Sequence, residues 1–419
     1  MLKKIKNVLE SQNNFKLDLV SGIATAILFS AFIYLEHFGV TLKLINTVFG
    51  ILSLTLLLHI SKRAVLVAGF FIGVLWFYWI GYSFKYNDVG YMTPFITFAF
   101  AIIYMLFFGV LALTKSVAIR ALLLFGLSFL EPLDFNWLQI ELIFVDSYIG
   151  LFKYQLLALL TALSLPSYLK APYKYAAVLP FLLAMNLGGE LINFKPQAQK
   201  DAPLKIKLVS TDITQDEKWK RESLNPTVQL AYSEIRSAIK DGYDVVVLPE
   251  SVFPLYMNRA PTLMRQLLLL SYDITIVAGS LLNENNQHYN VTYLFSDGNF
   301  KIAKKLILVP FGEYIPLPKF AKKFVNDIFF KGSSDFKTAT KPTDFLIKDV
   351  KFRNAICYEA TCQEIYDGNV SFVIATSNNA WFSPSIEPTL QKLLMRYYAR
   401  KNGVTIYHSA NYRGTGIIK

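Results

Sequence analysis

The first half of the chain consists of long apolar stretches separated by short polar connections. Seven stretches approach the length of about 20 residues that a helix needs to cross a bilayer. They cover residues 17–36, 44–60, 64–83, 92–113, 117–131, 151–167 and 174–191. The first is followed by further apolar stretches and has no small-residue cleavage pattern, so it is not a signal peptide. The pattern predicts a membrane domain over residues 1–192 with about seven helical spans, of which the fifth and sixth are short.

The second half has a different pattern. After a polar linker at 193–204, short runs rich in β-branched and aromatic residues alternate with helical stretches, which predicts a layered α/β domain over residues 205–419. The predicted strands are 206–210, 244–248, 274–279, 291–295, 345–350, 352–356, 372–376 and 404–408, and the predicted helices are about 225–240, 258–271 and 388–402.

Lysine and arginine clusters alternate between the two sides of the predicted spans. One side carries most of the clusters, while the other has only Lys43, Lys85 and Lys153. Because basic loops stay in the cytoplasm, the N-terminus is predicted to be cytoplasmic, and seven crossings carry residue 193 onward to the opposite face. In a two-membrane bacterium, that face is the periplasmic side of the inner membrane. The predicted cytoplasmic clusters are Lys3, Lys4 and Lys6; Lys62 and Arg63; Lys115 and Arg120; and Lys170 and Lys174.

Composition adds to this interpretation. The net charge of +12 comes from 42 Lys and Arg against 30 Asp and Glu, and 53% of the residues are hydrophobic. A basic chain can bind nucleic acid, but these charges flank apolar segments and form no basic aromatic face. We therefore expect the lipid bilayer, and no nucleic acid, as a partner.

Two segments are candidates for contact with the membrane surface. The connection 131–138 combines acids and aromatics at the expected depth of the outer interface. It fits either an interfacial aromatic belt or the wall of a lipid-facing entrance. Residues 320–330 place apolar side chains among lysines, which fits either an interfacial helix or an ordinary surface-loop helix.

Two charged groups in the second half lie next to apolar runs. Glu250 directly follows such a run and Pro249. Because proline ends the hydrogen-bond ladder of a strand, this carboxylate is better placed for proton transfer than an ordinary surface acid. Lys304 and Lys305 precede the run 306–309, where we expect a strand. A lysine held there could stabilise an oxyanion, although paired lysines are usually solvated.

Cys357 is one of two cysteines and stands at the end of a predicted strand. A thiol in that position is a candidate nucleophile, although a free cysteine is most often a small buried hydrophobe. Cys362 is the only residue that could pair with it, and a bridge would consume the thiol, so we expect both to be free. Two cysteines and four histidines leave almost no room for a cysteine–histidine zinc site.

Together these residues resemble the Glu-Lys-Cys triad of the nitrilase superfamily. The sequence has Pro249-Glu250-Ser251, a lysine eight residues before the glutamate of Pro310-Phe311-Gly312-Glu313, and Cys357-Tyr358-Glu359. Ser377-Asn378-Asn379-Ala380-Trp381-Phe382 is similar to a Ser-Asn-Asp-x-Trp-Phe loop of one branch, and Tyr289-Asn290 also fits. With apolar segments in front, the chain resembles the bacterial apolipoprotein N-acyltransferases over nearly its whole length.

The resemblance implies a polytopic α-helical membrane domain followed by an α/β nitrilase-like domain, an αββα sandwich. It implies Glu250 as general base and Cys357 as nucleophile. The eight-residue spacing to Glu313, the second acid, selects Lys305 over Lys304 as the cation that stabilises the oxyanion. The residues expected to line or support the site are Trp219, Asn290, Tyr358, Glu359, Asn378 and Trp381.

The implied activity is a two-step acyl transfer. An acyl chain leaves a membrane phospholipid for Cys357, forming a thioester, and then passes to the α-amine of the S-diacylglyceryl cysteine of an apolipoprotein. A free thiol has a pKa of about 8.5 and is mostly protonated at neutral pH. Either Glu250 as base or Lys305 as neighbouring cation must therefore supply the thiolate. Glu250 or Glu313 then removes the proton of the amine. The acyl transfer is expected to require no metal or cofactor. The expected partners are the phospholipid donor and the diacylated apolipoprotein.

Three features depart from the family pattern. Asn379 stands where the family usually has Asp, and Ser-Thr-Asp at 210–212 replaces Gln-Gly-Asn. The sequence also ends at Lys419 without a final span, from which we expect weaker anchoring of the second domain and altered handling of the acceptor. Two other functions stay open: a membrane-anchored amidase or nitrilase that releases acyl groups to water, and a catalytically silent scaffold, against which the complete triad argues.

Overall fold

The computed structural model describes residues 2–87, 89–186, 199–310, 313 and 336–419. The chain forms two compact units, residues 1–81 with 90–194 and residues 82–89 with 195–419. Residues 82–89 thus belong to the second unit, although in sequence they lie between two helices of the first. The candidate interfacial segment at 320–330 and the first half of the predicted linker, residues 193–198, lie outside the described residues.

Each of the seven apolar segments predicted in the first unit contains an α-helix. Three helical stretches, Asn14–His37, Lys62–Tyr86 and Gly90–Leu113, are long and apolar enough to cross a membrane, and the other apolar helices of the described residues are shorter. The number of spans therefore stays a prediction. The α-helices are α1 Leu2–His37, α2 Lys43–His59, α3 Lys62–Phe77, α4 Thr93–Gly109, α5 Val117–Leu127, α6 Lys153–Ser164 and α7 Val178–Ala184.

Close packing of α3 against α4 depends on two glycines. A Cβ atom on Gly69 would lie 2.6 Å from the Tyr104 carbonyl oxygen, and one on Gly73 would lie 2.7 Å from the Phe100 carbonyl oxygen. Small residues let helix backbones approach closely where no hydrophobic effect drives association. The helix start is also defined locally, because the Ser61 hydroxyl accepts the Ala64 N–H at 3.1 Å as an N-cap of α3.

Arg120 joins the ends of two helices. Its sequence context predicts a charge beside the membrane, but only 3% of the residue is exposed. The Arg120 Nε donates to the carbonyl of Leu111, in the 3₁₀ turn that follows α4, and its Nη1 donates to the carbonyls of Leu58 and Ile60 at the end of α2. The last carbonyls of a helix have no partner within it, so one guanidinium satisfies both helix ends.

Replacing Arg120 with methionine is expected to destabilise the first unit by about 2–4 kcal/mol, because several buried carbonyls lose a charged donor. Thermal unfolding of the detergent-solubilised protein measures this. Arg63→Met, which removes the same charge from an exposed position, is the matched control and should unfold near the wild-type temperature. Equal unfolding temperatures for the two variants would contradict the role given to Arg120.

The second unit contains two five-stranded sheets. In the first, the spatial order is β1-β2-β3-β4-β5, and in the second it is β10-β9-β8-β7-β6. Strands β1 to β3 and strands β7 to β9 run parallel, while the remaining pairs are antiparallel. The strands are β1 Ile206–Leu208, β2 Val245–Val247, β3 Thr275–Glu284, β4 Gln287–Ser296, β5 Asn299–Lys304, β6 Asp344–Ile347, β7 Val350–Ile356, β8 Phe372–Asn378, β9 Thr405–Asn411 and β10 Gly416–Ile418. The helices are α8 Gln215–Lys218, α9 Arg221–Lys240, α10 Pro261–Leu270 and α11 Glu387–Asn402.

The sheets pack face to face with helices outside them. Val245 and Val247 of β2 lie in one core with Phe352 of β7 and Tyr407 of β9, whereas Val246 lies in a second core with residues of α9 and α10. Both faces of β2 are buried, which explains its continuously apolar sequence. Helix α11 contacts β9 and β10. The predicted αββα sandwich is confirmed.

The eight predicted strands and three predicted helices are all present, with ends shifted by a few residues. Strands β5 and β10 and the short helix α8 were not predicted. The strand expected at 306–309 is wrong, since no strand forms there. The N–H groups of Leu306 and Ile307 donate to the Glu359 carboxylate instead of to a neighbouring strand. Lys305 therefore follows a strand, β5, rather than preceding one.

Candidate active site

A buried lysine stands between two carboxylates where strands of the first sheet end. Lys305 follows β5 with 1% of its surface exposed, and its Nζ lies 2.7 Å from Glu313 Oε2 and 3.9 Å from Glu250 Oε1. The Asn290 side-chain amide donates to Glu250 Oε1 at 2.7 Å and reaches Glu313 Oε1 at 3.5 Å. Burial alone would lower the Lys305 pKa, but Glu313, Glu250 and Cys357 raise it above its usual value, so the ammonium stays charged.

Cys357 sits in a strained turn directly after β7. Its φ is +56°, in the left-handed region that few residues other than glycine adopt, and such strain is typical of functional sites. The thiol is free. Burial raises its pKa well above the usual value, Glu250 adds to the rise, and Lys305 opposes it. The thiol is therefore protonated at neutral pH.

Glu359 stabilises the turn that holds Cys357. Its Oε2 accepts the Ile356 N–H at 2.6 Å, and its Oε1 accepts the N–H groups of Leu306 and Ile307. Burial raises the Glu359 pKa to about 7, with Lys305 and these N–H groups opposing the rise. One carboxylate thus connects the segment after Lys305 with the residue before Cys357.

Glu250 can occupy its turn because the neighbouring strand carries a glycine. A Cβ atom on Gly279 of β3 would lie 2.6 Å from the Glu250 Cα and 2.7 Å from the Pro249 carbonyl oxygen, and it would also meet the Ser251 nitrogen. Ser251 has a φ of +48°, so the turn is itself tight. Gly279 therefore positions Glu250, a role that its own sequence context did not indicate.

The sequence interpretation missed a second buried lysine. Lys218 ends α8 with 1% exposed, and its Nζ donates to the Glu250 carbonyl oxygen at 2.9 Å. Burial lowers its pKa to about 8, opposed by the charges of Glu250 and Cys357. In sequence it lies among charged residues beside Trp219, a pattern typical of a solvated surface, so nothing marked it.

An amide network reaches the thiol from the second sheet and α11. Gln391 Nε2 lies 3.8 Å from Cys357 Sγ, and Gln391 Oε1 accepts from Asn379 Nδ2 at 3.1 Å. Asn379 Nδ2 also donates to the Arg413 carbonyl at 2.8 Å. Because Asn379 acts as a donor, the Gln391 amide directs its own N–H group toward sulfur. An aspartate at 379 could not donate in this way.

The other predicted supporting residues have different surroundings. Asn378 donates to Gln215 Oε1 at 2.9 Å and accepts from Asn411 Nδ2 at 2.8 Å, so it joins the ends of β8 and β9 to the start of α8. Trp381 is half-buried, and its ring meets that of Tyr86 edge-on at 5.4 Å. Tyr358 is buried, whereas 46% of Trp219 is exposed. For all of the predicted supporting residues, a role in the reaction stays a prediction.

Comparison with known proteins matches both units. Residues 16–187 match the apolipoprotein N-acyltransferase integral membrane domain, and residues 210–415 match the carbon-nitrogen hydrolase family. The apolipoprotein N-acyltransferase of Wolinella succinogenes is 40% identical over 400 residues, covering 95% of each chain. That of Helicobacter hepaticus is 36% identical over 382 residues, covering 90% of this chain and 94% of the relative. That of Campylobacter jejuni is 36% identical over 408 residues, covering 95% and 89%.

The similarity extends through the membrane helices as well as the site just described. A shared hydrolase fold alone would leave the first unit unexplained, and apolar helices alone would leave the buried lysine and its carboxylates unexplained. This chain therefore belongs to the apolipoprotein N-acyltransferase family, as a multi-pass membrane protein with a carbon-nitrogen hydrolase domain.

Proposed function

We propose that this protein transfers an acyl chain from a membrane phospholipid, through a thioester on Cys357, to the α-amine of the S-diacylglyceryl cysteine of an apolipoprotein. The observation that carries the proposal is Lys305, buried between Glu250 and Glu313 and electrostatically coupled to the Cys357 thiol. A buried cation beside a nucleophile is suited to an oxyanion intermediate. The names of the relatives supply the acceptor class.

In the first step Glu250 acts as the base. Because the Cys357 pKa is raised although Lys305 opposes the rise, Lys305 alone does not supply a thiolate, and we assign the proton transfer to Glu250. The sulfur attacks the ester carbonyl, and the Lys305 ammonium with the N–H group of Tyr358 stabilises the oxyanion. The carbon–oxygen bond of the ester then breaks. Glu250 returns its proton to the lysophospholipid oxygen. The lysophospholipid then departs, and the acyl chain remains on Cys357 as a thioester.

In the second step the acceptor amine attacks the thioester carbonyl. Glu313 is held twice at one oxygen, since its Oε2 lies 2.7 Å from Lys305 Nζ and accepts the Val309 N–H at 2.9 Å. Glu250 lies farther from the ammonium, with its Oε1 3.9 Å from Lys305 Nζ. We therefore assign removal of the amine proton to Glu250. The amide forms, and Cys357 leaves as a thiol after protonation by Glu250.

The protein is proposed to work at the bacterial inner membrane, with a cytoplasmic N-terminus and the hydrolase domain on the periplasmic side. The alternation of basic clusters between the apolar segments supports this orientation. A phospholipid acyl donor also explains why the enzyme has membrane helices, since an enzyme that acts on a soluble substrate would not need them.

Phospholipid labelled in its acyl chain tests the proposal directly. Wild-type protein in detergent should acquire label at Cys357 that neutral hydroxylamine releases, as expected of a thioester. A diacylated lipopeptide should then take the label into amide linkage. Release of label to water without amide formation would support the hydrolase instead, and absence of label on the protein would support the silent scaffold.

Gly279→Ala is expected to slow thioester formation about 10²-fold while the protein remains folded, because the new methyl group displaces the turn that holds Glu250 and small displacements of a reacting group are costly. Stopped-time labelling with the same phospholipid measures the rate. Gly126→Ala is the matched control, since a Cβ there meets nothing within 4 Å. Wild-type labelling by Gly279→Ala would remove the positioning role.

A further inference from the structure

The first residue of α11 is a buried acid that the acyl-transfer steps above do not use. Glu387 is 1% exposed, and its Oε2 is buried without a hydrogen-bond partner in the described structure. Its backbone N–H donates to the Ser385 hydroxyl at 3.1 Å. A buried carboxyl oxygen without a partner costs free energy, so its retention calls for a ligand that supplies the missing contact.

Glu387 lies one helical turn before the residue that reaches the thiol. Residues four apart lie on the same face of a helix, and Gln391, one turn along α11, has its Nε2 3.8 Å from Cys357 Sγ. The Glu387 carboxyl is electrostatically coupled to both Cys357 and Glu250. The helix geometry and the electrostatic coupling agree that this carboxyl borders the same site.

A cation suits the unpartnered oxygen, because an ionised Glu387 would give the groups coupled to Cys357 more carboxylates than lysines. Three carboxyls, those of Glu250, Glu313 and Glu387, are coupled to the thiol, against two lysines, Lys305 and Lys218. Burial raises the Glu387 pKa well above its usual value and Glu250 raises it further, so both favour the neutral acid. An entering cation would remove the reason for that protonation.

We propose that the Glu387 carboxylate binds the ammonium group of the acyl acceptor beside Cys357 and so selects a free primary amine; the inference rests on the acyl transfer proposed above. The Glu387 proton leaves to solvent as the ammonium arrives, which exchanges one positive charge for another. The ammonium then contacts Oε2, the oxygen that has no hydrogen-bond partner among the described residues. One ammonium proton leaves to solvent before the free amine attacks, and Glu250 takes the second N–H proton and delivers it to the Cys357 sulfur.

Binding to the resting enzyme tests this without acyl transfer. At neutral pH, full-length wild-type protein in detergent should bind a diacylated lipopeptide with a free α-amine about tenfold more tightly than its N-acetylated form. Glu387→Gln should bind both forms equally, while Glu387→Asp should keep part of the preference. If Glu387→Gln does not fold, as judged by thermal unfolding, the aspartate variant carries the test. Equal affinities for the two lipopeptides in the wild type would overturn the proposal.

The two half-reactions give an independent readout. Glu387→Gln should form the labelled thioester within about twofold of the wild-type rate, and hydroxylamine should cleave that thioester equally fast in both. Transfer to the lipopeptide should show a KM about tenfold higher, with kcat little changed. Equal slowing of thioester formation and of transfer would indicate a structural role and overturn the proposal. Wild-type protein that never forms a thioester would count against the proposed function, while the binding test still decides the role of Glu387.

Discussion

Cys357→Ala is expected to abolish acyl transfer, with a loss of at least about 10⁴-fold. The alanine leaves the turn after β7 in place but removes the only atom that is proposed to carry the acyl group. No labelled thioester should form from phospholipid, and no label should pass to a lipopeptide. The measurement is the amount of label bound to the protein after denaturation.

Cys362→Ala provides the matched control. Cys362 is a free, buried cysteine five residues further along, and its Sγ contacts the Tyr358 carbonyl at 3.5 Å. Its replacement changes one buried sulfur atom without touching the proposed nucleophile, so labelling should stay near the wild-type level. If Cys357→Ala still acquired label, or if Cys362→Ala kept its fold but acquired none, the assignment of the thioester to Cys357 would be wrong.

Lys305→Met is expected to slow thioester formation about 10³-fold and to destabilise the hydrolase domain by about 3–5 kcal/mol. The first effect follows because the cation proposed to face the oxyanion is lost. The second follows because the Glu250 and Glu313 carboxylates, which share this buried ammonium, are left facing each other without a counter-ion. Labelling kinetics and thermal unfolding measure the two effects separately.

The adjacent lysine is the natural control for this variant. Lys304 ends β5 with its ammonium near the surface, where it pairs with Glu284 at 2.5 Å and lies over the Tyr289 ring. Exposed ion pairs contribute about 0–1 kcal/mol, so Lys304→Met should unfold and label nearly as the wild type does. If Lys304→Met were the more damaging variant, the choice of Lys305 by its spacing to Glu313 would be wrong.

Much of the architecture could be predicted because its signals are local. Apolar runs of near-spanning length predicted the helices of the first unit, and short β-rich runs predicted most strands of the sandwich. The predicted strand at 306–309 failed because an apolar run does not reveal where its backbone N–H groups bond. Glu359, more than 50 residues later in sequence, accepts two of them.

The candidate triad could also be proposed from sequence, since Glu250, Lys305 and Cys357 lie within short motifs that resemble a known family. Its surroundings could not. Lys218 lies in a charged stretch that looks exposed, and it is buried only because α8 packs beside the turn of Glu250. Gly279 looks like any glycine in a strand until the distance to that turn is known.

The sequence by itself thus determined the two-unit organisation, the α/β class and the three residues proposed for catalysis, because hydrophobic period and short motifs are properties of neighbouring residues. The tertiary structure alone decided the raised pKa of the thiol, the place of Gln391 beside it and the burial of Glu387 with its Oε2 unpartnered among the described residues. Those features depend on burial and on contacts between strands and helices far apart in the chain, and no local pattern specifies either.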